Sequence, residues 1–192
     1  MSEKVEEPLA AWPVPPRVLP KHTWEDYARW EGDWELIRGV PFPMSPAASI
    51  RHHDALTALF LLLRHGLAGD ARWHVFMEMD WIADTHTTIR PDVMVAREPV
   101  GEDWVRRPPV LVAEVLSPST AAKDRIEKRA LCSEYQVRYF LLLDPDTRTV
   151  EALAWQHGDY HPLPADPSLT LDFEGTPVSI PVAGLFARPG VG

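Results

Sequence analysis

Two hydrophobic runs of this chain each hold one acid where a buried strand has no use for one. They are Asp92 in Arg90-Pro91-Asp92-Val93-Met94-Val95-Ala96 and Glu114 in Val110-Leu111-Val112-Ala113-Glu114-Val115-Leu116. A carboxylate taken out of water without a partner costs on the order of several kcal/mol and tends to protonate instead, so both acids call for cations, donors or solvent beside them. Just downstream lie Asp124 and Lys128, four residues apart on an expected helix. Two acids on neighbouring strands, with a lysine reaching toward them, are what metal-assisted phosphodiester hydrolysis requires. Asp92 and Glu114 would hold Mg²⁺ or Mn²⁺, hard cations that take carboxylate and carbonyl oxygens, with the carbonyl of Val115 as a further ligand. Lys128 would neutralise charge on the phosphate or orient the attacking water. No Cys/His cluster speaks for zinc. The plain alternative is that each acid caps a turn or pairs with an arginine, and that Asp124 and Lys128 form a surface ion pair at i and i+4.

Positioning such a site requires particular elements. Pro91 to Ala96 and Val110 to Leu116 are apolar on both faces, as in central strands covered on both sides. At about 100° per residue, Ala121, Asp124, Lys128, Leu131, Cys132 and Tyr135 share one helical stripe, which should face the sheet; Lys123 falls about 140° from Lys128, off that stripe, and is expected to be silent. Ile126 and Ala130 sketch a competing apolar face. Further strands are expected over Trp73 to Ala83, Val137 to Asp144 and Arg148 to Gln156, with small edge strands after His157 and a turn over Asp84 to Thr88. A helix from about Ser49 to Leu67 follows from Leu56, Leu59, Phe60 and Leu63. It carries His52 one turn ahead of Leu56, either a hydrogen-bonded histidine at the core rim or a proton shuttle or phosphate contact. Thr23 and Asp26 read as a capping box, and Trp34 to Pro41 as a hairpin turning at Arg38-Gly39.

Taken together, the words Trp34-Glu35-Leu36-Ile37 with Gly39, Met44-Ser45-Pro46 followed by His52, Arg90-Pro91-Asp92-Val93, Ala113-Glu114-Val115-Leu116-Ser117-Pro118-Ser119-Thr120, Asp124 with Lys128, and Leu143-Asp144-Pro145 resemble the Uma-two family of bacterial restriction-endonuclease-type proteins, a branch of the PD-(D/E)XK nuclease superfamily. The match runs from about Trp24 to Gln156. The resemblance implies a restriction-endonuclease-like α/β core, a central mixed β-sheet flanked by helices, and divalent-metal nuclease activity. It draws Glu35 into the site as a metal-shell acid. A nuclease of this superfamily sets a lysine two residues after the second acid; Leu116 stands there, so Lys128 is expected to supply the charge. Val40, Cys132 and Gln136 also depart from the pattern.

Length and charge bound the reading. At 192 residues the chain is expected to form one domain over 22–192, preceded by an extended arm over 1–21 with prolines at 8, 13, 15, 16 and 20. A net charge of −9 counts against non-specific nucleic-acid binding, although a bound cation would offset acid charge where a phosphate sits. The single cysteine, Cys132, and the polar start fit a cytoplasmic protein, and no apolar run is long enough for a membrane span. The expected substrate is nucleic acid, DNA first, and the tryptophans around residues 24–34 suggest a homodimer. Two further readings fit the same residues: a non-catalytic interaction module on the nuclease fold, and a metal hydrolase of small phosphoesters.

Overall fold

The computed structural model describes residues 21–44, 49–97 and 104–187; the proline arm, except Lys21, and the Ser45-Pro46 helix entry lie outside them. The described chain starts with a short helix, α1 (Trp24–Tyr27), closed by the expected capping box between Thr23 and Asp26. A hairpin of β1 (Trp34–Ile37) and β2 (Val40–Pro43) follows, turning through Arg38 and Gly39, both at positive φ. Glycine is needed there twice over: φ is +83°, and a Cβ would lie 2.7 Å from the Lys21 side chain.

Helix α2 (Ile50–Gly66) begins at Ser49, whose hydroxyl accepts from the His52 amide, and ends with Arg64 and His65 against its exposed carbonyls. Its Ala55, Leu56, Leu59 and Leu63 are buried at three- and four-residue steps.

The long strand expected over Trp73 to Ala83 is in fact two. β3 (Trp73–Met77) stops where Glu78 turns to φ 47°, and β4 (Trp81–Asp84) resumes in a different sheet. Alternation continues across the break because both halves bury one face, so periodicity alone joined them. The expected turn over Asp84 to Thr88 is shorter too: β5 (Thr87–Ile89) starts inside it, pairing with β4 and, through Leu36↔Thr88, with β1.

The remaining strands are β6 (Val93–Arg97), β7 (Leu111–Val115), β8 (Tyr139–Asp144), β9 (Thr149–Gln156), β10 (Asp159–Leu163), β11 (Ser168–Phe173) and β12 (Thr176–Pro181), and a short helix α5 (Val182–Leu185) follows. They build a six-stranded mixed sheet in the order β10-β9-β8-β7-β6-β3, whose one parallel pair is β7 with β8. A four-stranded sheet, β2-β1-β5-β4, and the β11-β12 hairpin complete the fold. Residues 121–134 connect β7 to β8 and bridge that parallel pair, as a crossover must.

Strand β7 divides its side chains between two cores. Leu111, Ala113 and Val115 join α2 and the β11-β12 hairpin on one face; Val112 and Leu116 join Trp81, Ile89, Leu131 and Phe140 on the other. Glu114 has the parity of that second face. Among the described residues, no helix is long and apolar enough to cross a membrane.

Candidate active site

The β6-β7 register pairs Val93 with Ala113; one residue further it sets Asp92 opposite Glu114, where β6 begins and β7 ends. Asp92 also ties the two strands together, its Oδ2 accepting from the Val115 amide at 2.6 Å. Glu114 is buried to 2% exposure and needs a partner. It finds one in Lys128, whose Nζ lies 2.8 Å from Glu114 Oε1.

The helix bringing Lys128 there is not a regular one. Between α3 (Ala121–Lys123) and α4 (Arg129–Glu134), residues Asp124–Lys128 form a π-helical turn, closed by the Arg129 amide on the Asp124 carbonyl five residues back. The wider turn changes the azimuth of everything before it. Lys123, expected off the buried stripe, swings inward so that its Nζ lies 2.5 Å from Glu35 Oε2. A wheel drawn at 100° per residue cannot anticipate that, because the turn does not advance by 100°. Asp124 and Lys128 are both 3% exposed and 3.7 Å apart, a buried contact rather than the surface pair of the plain alternative. The competing face is solvent-exposed, with Ile126 at 65%.

Glu35 is fully buried on β1 and every side of its carboxylate is engaged. Oε1 accepts from the Arg90 amide and lies 2.9 Å from Lys128 Nζ, while Oε2 takes Lys123. Burial alone would raise its pKa; Lys128 and Lys123 outweigh that and hold it below the usual carboxylate range. Burial would lower Lys128 in turn, but Glu114, Glu35, Asp124 and Asp92 keep it charged and its pKa well above normal. Burial pushes Glu114 well up, Lys128 opposing and the other three acids adding to the rise. Burial likewise raises Asp124, whose Oδ1 has no hydrogen-bond partner among the described residues.

His52, on the first turns of α2, directs Nε2 to within 3.6 Å of Asp92 Oδ1, and its Nδ1 is buried without a hydrogen bond. Burial would lower its pKa, yet Asp92, and beyond it Glu78 and Asp124, raise it. Of the five residues singled out for chemistry, Asp92, Glu114, Lys128 and His52 line one cleft, and Glu35 lies buried behind it, bonded to Lys123 and Lys128. The cleft has a volume of about 90 Å³ and is lined by Met44, Glu78, Arg90, Val115, Ser117 and Thr120 as well, together with Lys123 and Asp124. That is room for a handful of waters or a partly hydrated cation.

Besides Lys123, sequence reasoning missed the job of Arg90. Its amide and carbonyl reach Glu35 and Lys128, while its guanidinium bonds Asp80 Oδ1 at 2.7 Å, Asp33 Oδ1 at 2.9 Å and Tyr27 Oη at 3.5 Å. One signal was present: Asp80 sits on the polar side of an alternating run, and as a buried acid it required a cation.

The surroundings can be tested against a divalent cation by counting acids against lysines. Four acids, Glu35, Asp92, Glu114 and Asp124, surround two ammonium groups, Lys123 and Lys128, so that acids outnumber lysines by two. Among the described residues no three His, Cys, Asp or Glu side chains are placed to hold one ion. Mg²⁺ suits such a set, since it binds through one or two carboxylates and keeps several waters.

Comparison with known proteins agrees with this architecture. The family model Uma2, described as "Putative restriction endonuclease", matches residues 24–183. An uncharacterized protein from Synechocystis sp. is 32% identical over 124 residues, a stretch covering 61% of this chain and 69% of that one. A crystal structure described as a putative nuclease of DUF820 from Anabaena variabilis superposes with a TM-score of 0.70 at 17% identity, covering 85% of this chain and 97% of that chain. At that identity the likeness is one of fold, and it is the central mixed sheet flanked by helices that the sequence led one to expect.

Proposed function

Since the chain belongs to the Uma2 family of putative restriction endonucleases, we propose that it is a metal-dependent endonuclease that hydrolyses phosphodiester bonds of nucleic acid, DNA in the first instance. The observation that carries this reading is the pair Asp92 and Glu114 at the ends of adjacent strands, with a charged lysine buried against the second. Asp92, Glu114 and the Val115 carbonyl would hold Mg²⁺ or Mn²⁺. The ion would supply an acidified water and charge stabilisation on the phosphate.

This chain's own groups do the rest. Lys128 fixes one oxygen of Glu114 and leaves the other for the ion. His52 stands beside Asp92, placed to pass a proton at Nε2. Glu35 does not need to bind metal: its oxygens are taken by two lysines and an amide, which makes it the anchor of those lysines instead. A cytoplasmic location suits the single buried cysteine. The aromatic surface of Trp24, Trp30, Trp34 and Trp104 supports a two-fold pair of chains, which light scattering would reveal as a mass of twice 21.7 kDa.

The test is a calorimetric titration with Mn²⁺ followed by cleavage of supercoiled DNA. Binding that is lost in Asp92→Asn, with cleavage lost alongside, is the expected result. The net charge of −9 favours a second reading, a binding module that has kept the fold without turnover. Wild-type protein that takes up no Mn²⁺ would decide for the module.

A further inference from the structure

Resting on the nuclease reading, we propose that Lys123, and not Lys128, is the residue of this cleft that contacts the substrate phosphate. Lys128 is then a positioning residue beneath it.

An ammonium group has three N–H donors. Those of Lys128 are spoken for: Glu114 Oε1 lies at 2.8 Å, Glu35 Oε1 at 2.9 Å, the Arg90 carbonyl at 3.5 Å and Asp124 Oδ1 at 3.7 Å, and the side chain is 3% exposed. To reach a phosphate, Lys128 would have to abandon buried carboxylates that have little else to neutralise them. Lys123 stands differently. Glu35 Oε2 is its one partner among the described residues, its side chain is 17% exposed, and it lines the cleft, so two of its donors can face an incoming anion.

Lys123 need not leave Glu35 to do so: one donor keeps Oε2, while the Arg90 amide and Lys128 hold the other oxygen. The guanidinium of Arg90, the other cation lining the cleft, is committed to Asp80, Asp33 and Tyr27. The π-helical turn makes this division feasible: it sets two lysines five residues apart over the same carboxylate, one deep and one at the mouth.

The test reads binding rather than turnover. Full-length wild type, Lys123→Met, Lys123→Arg and Lys128→Met are titrated with a short fluorescein-labelled DNA duplex, with Ca²⁺ as the divalent ion, across a series of salt concentrations. Loss of one phosphate contact should weaken binding by Lys123→Met about tenfold and reduce the slope of log K against log[salt] by about one. Lys123→Arg should restore both, and Lys128→Met should keep the wild-type slope. Calorimetry without DNA should show Mn²⁺ affinity undiminished in Lys123→Met. A wild-type slope in Lys123→Met, or a reduced one in Lys128→Met, overturns the assignment while leaving the nuclease reading intact. Wild-type protein that binds no duplex at all overturns both.

Discussion

The two faces of the six-stranded sheet are covered by helices of similar length that solve opposite problems. On one face α2 offers Leu56, Leu59 and Leu63 to Val93, Val95 and Ala113, a surface that asks only for apolar volume. On the other, residues 121–134 must cover a strand that presents Glu114, and they do it with Lys128 and Asp124 beside Leu131 and Cys132. The first helix is regular throughout; the second widens into a π turn where the charges sit. A single acid in one strand thus changes what its covering helix has to be. Apolar packing tolerates any helix with a greasy stripe, whereas a buried ion cluster fixes donors to within a few tenths of an ångström.

If that contrast is right, the faces should fail differently. Leu59→Ala, at a fully buried position, should cost about 3–4 kcal/mol in chemical denaturation and leave Mn²⁺ binding of the folded fraction unchanged. Glu114→Gln should do the reverse. It reduces the excess of acids over Lys123 and Lys128 from two to one, so the fold should persist, while Mn²⁺ affinity measured by calorimetry falls on the order of a hundredfold or more. An unaltered affinity would remove Glu114 from the site.

Gly66→Ala sharpens the comparison from the apolar side. Exposed helical Gly→Ala usually stabilises by roughly 1 kcal/mol, but here a Cβ would meet Val178 of β12 at 2.6 Å. The substitution should instead lower stability by about 1–2 kcal/mol. The smallest effect is expected at Ile126, which faces solvent: Ile126→Gln should shift unfolding by no more than about 0.5 kcal/mol. A large loss there would mean that the π turn is held by its outer face as well.

What could be read in the sequence follows the same division. α2, β6, β7 and the β1-β2 hairpin were legible because apolar spacing and turn chemistry are local signals, and Asp92 and Glu114 stood out because acids are costly in such runs. Lys128 was found because its predicted stripe also held Leu131 and Cys132. The break at Glu78 was not legible, since a non-glycine residue at positive φ leaves no mark on alternation. Nor was the gathering of β1, β4 and β5 into a second sheet, which depends on contacts between distant segments. Lys123 was missed for one reason: its direction depends on the pitch of the turn after it, and pitch is not a residue type.

That pitch has a consequence for insertions and deletions. A π turn accommodates one residue more than the α turn it replaces, so residues 121–124 and 129–134 are held in phase by a count. Deleting any one of Arg125, Ile126 or Glu127, all outside the buried cluster, would remove that extra residue and let the turn close as an ordinary α turn, with the two halves still in phase. A further residue inserted there would instead rotate one half by about 100° against the other, so that either Lys123 and Asp124 would leave the cleft or Leu131 and Cys132 would leave the core. Removing Ile126 should therefore disturb the cleft far less than inserting a residue beside it, a difference that no property of isoleucine explains.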